Sequence, residues 1–127
     1  MAKAENRGRR ILVVDDESFV CDSISQILTS DGHQVVTAFN AEDAMTAFLA
    51  GDFDIVITDY EMPVMKGDKL AAAMKGLKPT QPIILITAYA ESLRLKGNFP
   101  LGVDLVLPKP FALQEMRDAV QHLAPTS

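Results

Sequence analysis

The 127 residues are enough for one domain with a buried core, and a composition of 48% hydrophobic and 23% charged residues is that of an ordinary globular chain. No apolar run approaches the roughly 20 residues that span a bilayer, which excludes a helical membrane protein and predicts no membrane partner. Four cations against Glu5 give the first ten residues a net +3 and leave −8 for the rest, a balance that excludes direct nucleic-acid binding as the main activity.

The start, Met1 to Arg10, is polar and basic (Lys3, Arg7, Arg9, Arg10) and lacks the apolar centre of a secretory signal. With a single cysteine, Cys21, no internal disulfide can form. Both features predict a cytoplasmic protein. Strand-like and helix-like segments then alternate. Ile11-Leu12-Val13-Val14 is a β-branched run closing on Asp15-Asp16. Val20, Ile24, Ile27 and Leu28 recur at helical spacing until Asp31-Gly32 stops them. Gln34 to Ala38 reads as a second strand. Asn40 is placed to cap a helix burying Ala41, Ala44, Met45 and Phe48, which Gly51 ends. Phe53 to Thr58 forms a third strand ending at Asp59, and Leu70, Ala73, Met74 and Leu77 mark the next helix. Pro82 opens the fourth strand, Ile83 to Ile86, which closes on Thr87. Val103 to Leu107 is the fifth, and a last helix after Pro110 carries Leu113, Met116, Val120 and Leu123 on one face.

Repeated βαβ units predict an α/β fold with a parallel sheet covered by helices on both faces. The continuous apolar strands agree, because burial on both faces removes the usual alternation. Sites in such folds lie beyond the carboxyl ends of the strands. That edge collects Asp15 and Asp16 after strand one, Asp59 after strand three, Thr87 after strand four and Lys109 after strand five. Crowded carboxylates repel one another unless a cation intervenes, and Mg²⁺ suits oxygen ligands combined with water and phosphate. A carboxylate can also attack phosphorus to give an acyl phosphate, with Lys109 and the metal balancing charge on the transferred oxygens. His33, in a turn, and His122, in the last helix, lack a partner at metal-ligand or triad spacing and read as ordinary surface residues.

Four motifs in order carry a family likeness: Ile-Leu-Val-Val-Asp-Asp-Glu at 11–17, Asp59 through Gly67, Thr87-Ala88, and Lys109-Pro110-Phe111. With them the chain resembles the receiver domain of two-component response regulators, over Arg10 to about Leu123. The resemblance implies a flavodoxin-like doubly wound five-stranded sheet of order 2-1-3-4-5. It implies a basic tail at residues 1–9, a receiver domain at 10–124 and a C-terminal tail at 125–127. Asp59 would take a phosphoryl group from a sensor histidine kinase or histidine phosphotransfer protein. Mg²⁺ would be held by Asp16 directly, Asp15 through water, Asp59 and the Glu61 backbone carbonyl. Lys109 would pair with the phosphoryl oxygens, Thr87 would swing towards them, and the Lys109-Pro110 bond would be cis. Chemistry would stop at self-phosphorylation and self-dephosphorylation, with output read by a domain or partner outside this chain.

Two departures from the family pattern concern output. Val106 stands where relatives usually have Tyr or Phe, so the usual coupling of threonine to an aromatic ring is missing. Gly97-Asn98-Phe99-Pro100 interrupts the fourth helix, because Pro100 disfavours helix for the residue before it. Glu61 and Tyr89 flank the phosphoryl position and are expected to hinder an attacking water. The competing readings are a pseudo-receiver that only binds partners, and an aspartyl-nucleophile phosphatase. Against the phosphatase, Asp59 is followed by Tyr60-Glu61 rather than by a second Asp two residues on.

Overall fold

The computed structural model describes residues 8–96 and 102–123. The basic start through Arg7, the interruption at Gly97-Asn98-Phe99-Pro100 and residues 124–127 lie outside them. Five strands alternate with helices: β1 (Arg10–Val14), α1 (Ser18–Ser30), β2 (Gln34–Ala38), α2 (Ala41–Ala50), β3 (Ile55–Asp59), α3 (Gly67–Leu77), β4 (Ile83–Thr87), α4 (Ala90–Lys96), β5 (Leu105–Pro108) and α5 (Leu113–Leu123). All pairings are parallel, in the order β2-β1-β3-β4-β5. This is the flavodoxin-like arrangement, and among the described residues no helix is long and apolar enough to cross a membrane.

Alternation along the strands divides the core in two. Ile11, Val13, Ile55, Ile57, Ile84 and Ile86 meet Val20, Ile24 and Leu28 of α1 and Met116 and Val120 of α5. On the opposite face Leu12, Val14, Val56 and Ile83 pack on Ala44 and Phe48 of α2 and on Leu70 and Met74 of α3. A smaller cluster of Leu85, Ala90 and Val106 lies at the α4 side, with Tyr60, Leu93 and Val103 against it. The fully buried strands β3 and β4 thus read as unbroken apolar runs because both their faces are covered.

Local chemistry sets the element ends. The Asn40 side chain accepts from the Asp43 N–H at 2.7 Å, capping α2, whose first turn carries Glu42 and Asp43 against the helix dipole. Past α1, Gly32 adopts φ 94° while its N–H donates to the Thr29 carbonyl and the His33 N–H to the Leu28 carbonyl. That is a Schellman cap, and only glycine enters it freely. Gly51 ends α2 in extended backbone instead, with its N–H on the Ala47 carbonyl.

Three expected elements shift. β3 begins at Ile55 rather than Phe53, because the Asp54 carboxylate takes the Arg10 N–H at 2.8 Å at the entry to the ladder. β5 begins at Leu105 rather than Val103, for Asp104 spends its side chain on the Ile83 N–H (2.8 Å) and on Lys75 (2.9 Å). On α5 the expected face holds at Met116, Val120 and Leu123, but Leu113 is exposed and Ala119 joins the buried set.

Candidate functional site

Register brings the site together. Asp59 pairs with Ile86 and Thr87 with Pro108, so β3, β4 and β5 end at nearly one level, and Asp15 directly follows Val14 of β1. Asp15, Asp59 and Thr87 are each at most 1% exposed, whereas Asp16 faces solvent. One carboxylate oxygen each from Asp15, Asp16 and Asp59 lie within 4.8 Å of one another, a spacing that can hold one cation. Lys109, one residue beyond β5, reaches Asp59 Oδ1 at 3.2 Å, Asp15 Oδ2 at 3.3 Å and Glu17 Oε1 at 3.2 Å. Its backbone N–H donates to the Thr87 carbonyl and its bond to Pro110 is cis.

The loop from Tyr60 to Lys66 wraps around the end of β3. The Tyr60 N–H donates to the Ile86 carbonyl, and the Gly67 N–H closes back on the Tyr60 carbonyl at 3.0 Å. A Cβ at Gly67 would collide with the Asp59 carbonyl, so glycine is required there by close approach. Met62 is buried within the α2–α3 side of the core, and Val64 at the loop's outer tip adopts φ 71°.

Burial raises the Asp59 pKa first and the Asp15 charge raises it further; Lys109 opposes them, Glu61 adds to the rise, and the result is about 6. Asp15 is also raised by burial, against the Glu17 N–H bond (2.9 Å) and Lys109. For Lys109, burial lowers the pKa but the Asp15 and Asp59 charges and hydrogen bonds to Asp59 and Glu17 outweigh it, so the ammonium is held protonated. The shifts on the two partners describe one situation. A single cation faces more negative charge than it can balance, which favours a second cation.

All five residues expected at this edge are there, with one difference in pairing. The Thr87 hydroxyl donates to Glu61 Oε2 at 2.9 Å, and the Tyr89 N–H donates to the same hydroxyl oxygen at 3.1 Å. Glu61 thus enters the site through its side chain, while the Tyr89 ring is exposed. Glu17 was not anticipated. It supplies an N–H to Asp15 and a carboxylate to Lys109, and its signal was its place at the end of the 11–17 motif, directly after the Asp15-Asp16 pair. The histidines stay apart from the acidic edge: His33 Nδ1 accepts from the Arg9 N–H, and burial lowers its pKa. His122 lines a groove with Leu105 and Leu107.

Comparison with known proteins agrees with this geometry. Residues 11–121 match the model of the response regulator receiver domain. The chain therefore belongs to that family and is a receiver domain of two-component signal transduction, with the acidic cluster typical of its phosphorylation site. Sporulation initiation phosphotransferase F of Bacillus subtilis is 29% identical over 93% of this chain and 95% of its own. The transcriptional regulatory protein DltR of Streptococcus agalactiae is 30% identical over 84% of this chain but 48% of its own. The chain spans about half the length of several such curated relatives. Among solved structures, the response regulator TrrA of Thermotoga maritima, in complex with Mg²⁺-BeF, is 35% identical with a TM-score of 0.82, covering 91% of this chain and 98% of that one.

Proposed function

We propose that Asp59 accepts a phosphoryl group from a phosphohistidine on a sensor histidine kinase or histidine phosphotransfer protein, in the presence of Mg²⁺. The observation that carries this reading is the buried Asp59 carboxylate held 3.2 Å from Lys109, beside Asp15 and Asp16 at the sheet edge. The donor set fits Mg²⁺, being all oxygen and all hard, with Asp16 open to water. Asp15, Asp16, Asp59 and the Glu61 carbonyl would hold the ion. When bound, Mg²⁺ supplies neutralisation of the phosphoryl oxygens.

The residues of the chain do the rest. An Asp59 oxygen attacks phosphorus as the P–N bond breaks; the imidazole nitrogen leaves with the electron pair and takes a proton. Lys109 turns from its carboxylate partners to a phosphoryl oxygen, offering a point charge where negative charge gathers. Residues 10–124 form the phosphorylatable unit. Its only chemistry is gain and hydrolysis of its own phosphoryl group, in the cytoplasm and without contact to nucleic acid. An output domain or partner protein outside that unit reads the state.

Incubation with Mg²⁺ and a small phosphodonor such as phosphoramidate, followed by intact mass measurement, tests the proposal. One added phosphoryl group is expected in the wild type and none in Asp59→Asn. No addition to the wild type supports the pseudo-receiver reading, and continuous phosphate release far faster than a receiver's own cycle of phosphorylation and hydrolysis supports the phosphatase.

A further inference from the structure

A threonine hydroxyl carries one proton and can donate one hydrogen bond. In the unphosphorylated chain that proton goes to Glu61 Oε2 at 2.9 Å, while the Tyr89 N–H fills one acceptor position on the same oxygen. Thr87 is completely buried at the end of β4, so while Glu61 is in place its hydroxyl does not face solvent. Its branched Cβ restricts χ1 to a few discrete wells, so the hydroxyl has a small set of alternatives rather than a continuum. A phosphoryl oxygen on Asp59 that takes a hydrogen bond from Thr87 must take it from Glu61.

Resting on the reading of Asp59 as phosphoacceptor, we propose that Glu61 is a positioning residue, a latch that holds the Thr87 hydroxyl until phosphorylation displaces it. Two effects act in the same direction. The phosphoryl group competes for the single proton, and its charge of roughly −1.5 to −2 repels the Glu61 carboxylate. Glu61 belongs to the loop that Gly67 ties back to the end of β3, so its release is felt first in that loop. Val106 provides no comparable movement, being apolar and buried against Leu85 and Ala90. The released Glu61 loop thereby supplies a route from Asp59 to the surface that needs no rotating aromatic ring.

The test has two arms. In the full chain without phosphodonor, side-chain three-bond couplings report the Thr87 χ1. One rotamer is expected in the wild type and in Glu61→Gln, which keeps the acceptor oxygen, and rotamer averaging in Glu61→Ala. In the second arm, beryllofluoride with Mg²⁺ is titrated into the wild type, Glu61→Ala, Thr87→Val and the double variant. Losing a hydrogen bond to a charged, part-buried partner should tighten beryllofluoride binding about 3- to 10-fold in Glu61→Ala when Thr87 is present. In the Thr87→Val background the gain should fall below about 2-fold. An unchanged Thr87 rotamer in Glu61→Ala overturns the latch. So does an equal gain in both backgrounds, which is charge repulsion alone. A wild-type chain that binds no beryllofluoride overturns the phosphoacceptor reading instead, and the rotamer arm then still decides whether Glu61 holds Thr87.

Discussion

Asp59 is an uncomfortable residue in the metal-free protein. Its folded pKa of about 6 stands above the ordinary 3.8, so the folded state binds its proton more tightly than the unfolded state does. Below pH about 3.8 both states are protonated and the group costs nothing; the cost grows up to about 6 and is constant above it. Asp59→Asn removes that charge and should raise stability at pH 7.5 by about 1–2 kcal/mol, allowing for the partner Lys109 loses. Urea unfolding in EDTA at pH 7.5 and pH 4 checks this, with the gain expected to disappear at pH 4. A variant less stable at both pH values would contradict it. At this scale the sequence was informative where a residue's place follows from a strand ending: Asp15, Asp59, Thr87 and Lys109. It assigned no role to Glu17, though that residue closes the 11–17 motif, and was silent on the Glu61–Thr87 bond. Those depend on the direction a loop side chain takes after folding, and no periodicity encodes that direction.

Among the elements, the loop between β3 and α3 carries the clearest strain. Val64 is β-branched, exposed and at φ 71°, a backbone region that costs a non-glycine residue about 1–2 kcal/mol. Its side chain buries nothing that would compensate. Val64→Gly should therefore stabilise the fold by about 1 kcal/mol, part of the relief being offset by the greater freedom of glycine in the unfolded chain. Chemical denaturation of the two proteins decides it; destabilisation would mean that Val64 holds the loop through contacts instead. Helix and strand identities were legible from apolar spacing, and the Asn40 cap and the Gly32 stop from residue type. The starts of β3 and β5 were not. There Asp54 and Asp104 hydrogen-bond to the backbone of neighbouring strands, contacts between residues distant in sequence. Leu113 was misplaced because helical spacing alone cannot distinguish an exposed first turn of α5 from the turns that cover the sheet.

For the whole molecule, the core fills both faces of the sheet and the acidic edge is a place where charge remains unbalanced. A ligand that binds only the folded state stabilises it by mass action. Mg²⁺ should raise the melting temperature of the wild type, and should do so far less in Asp16→Ala. Because Asp16 is exposed, its loss leaves the core intact, so the metal-free melting temperature of that variant should stay near wild type. Equal Mg²⁺ shifts in both proteins would place the ion elsewhere. The parallel, two-sided α/β fold was legible because alternating βαβ units leave few topologies; the strand order came only with the family resemblance, since apolar spacing does not say which strands are neighbours.

The central claim is that a phosphoryl group resides on Asp59 and on no other carboxylate. An acyl phosphate is reduced by borohydride to the alcohol, so an aspartyl phosphate becomes homoserine at its own position. Peptide mapping of the phosphodonor-treated, borohydride-reduced protein should therefore find homoserine at position 59 and aspartate at 15 and 16. Homoserine at either of those positions, or at none, would contradict the account.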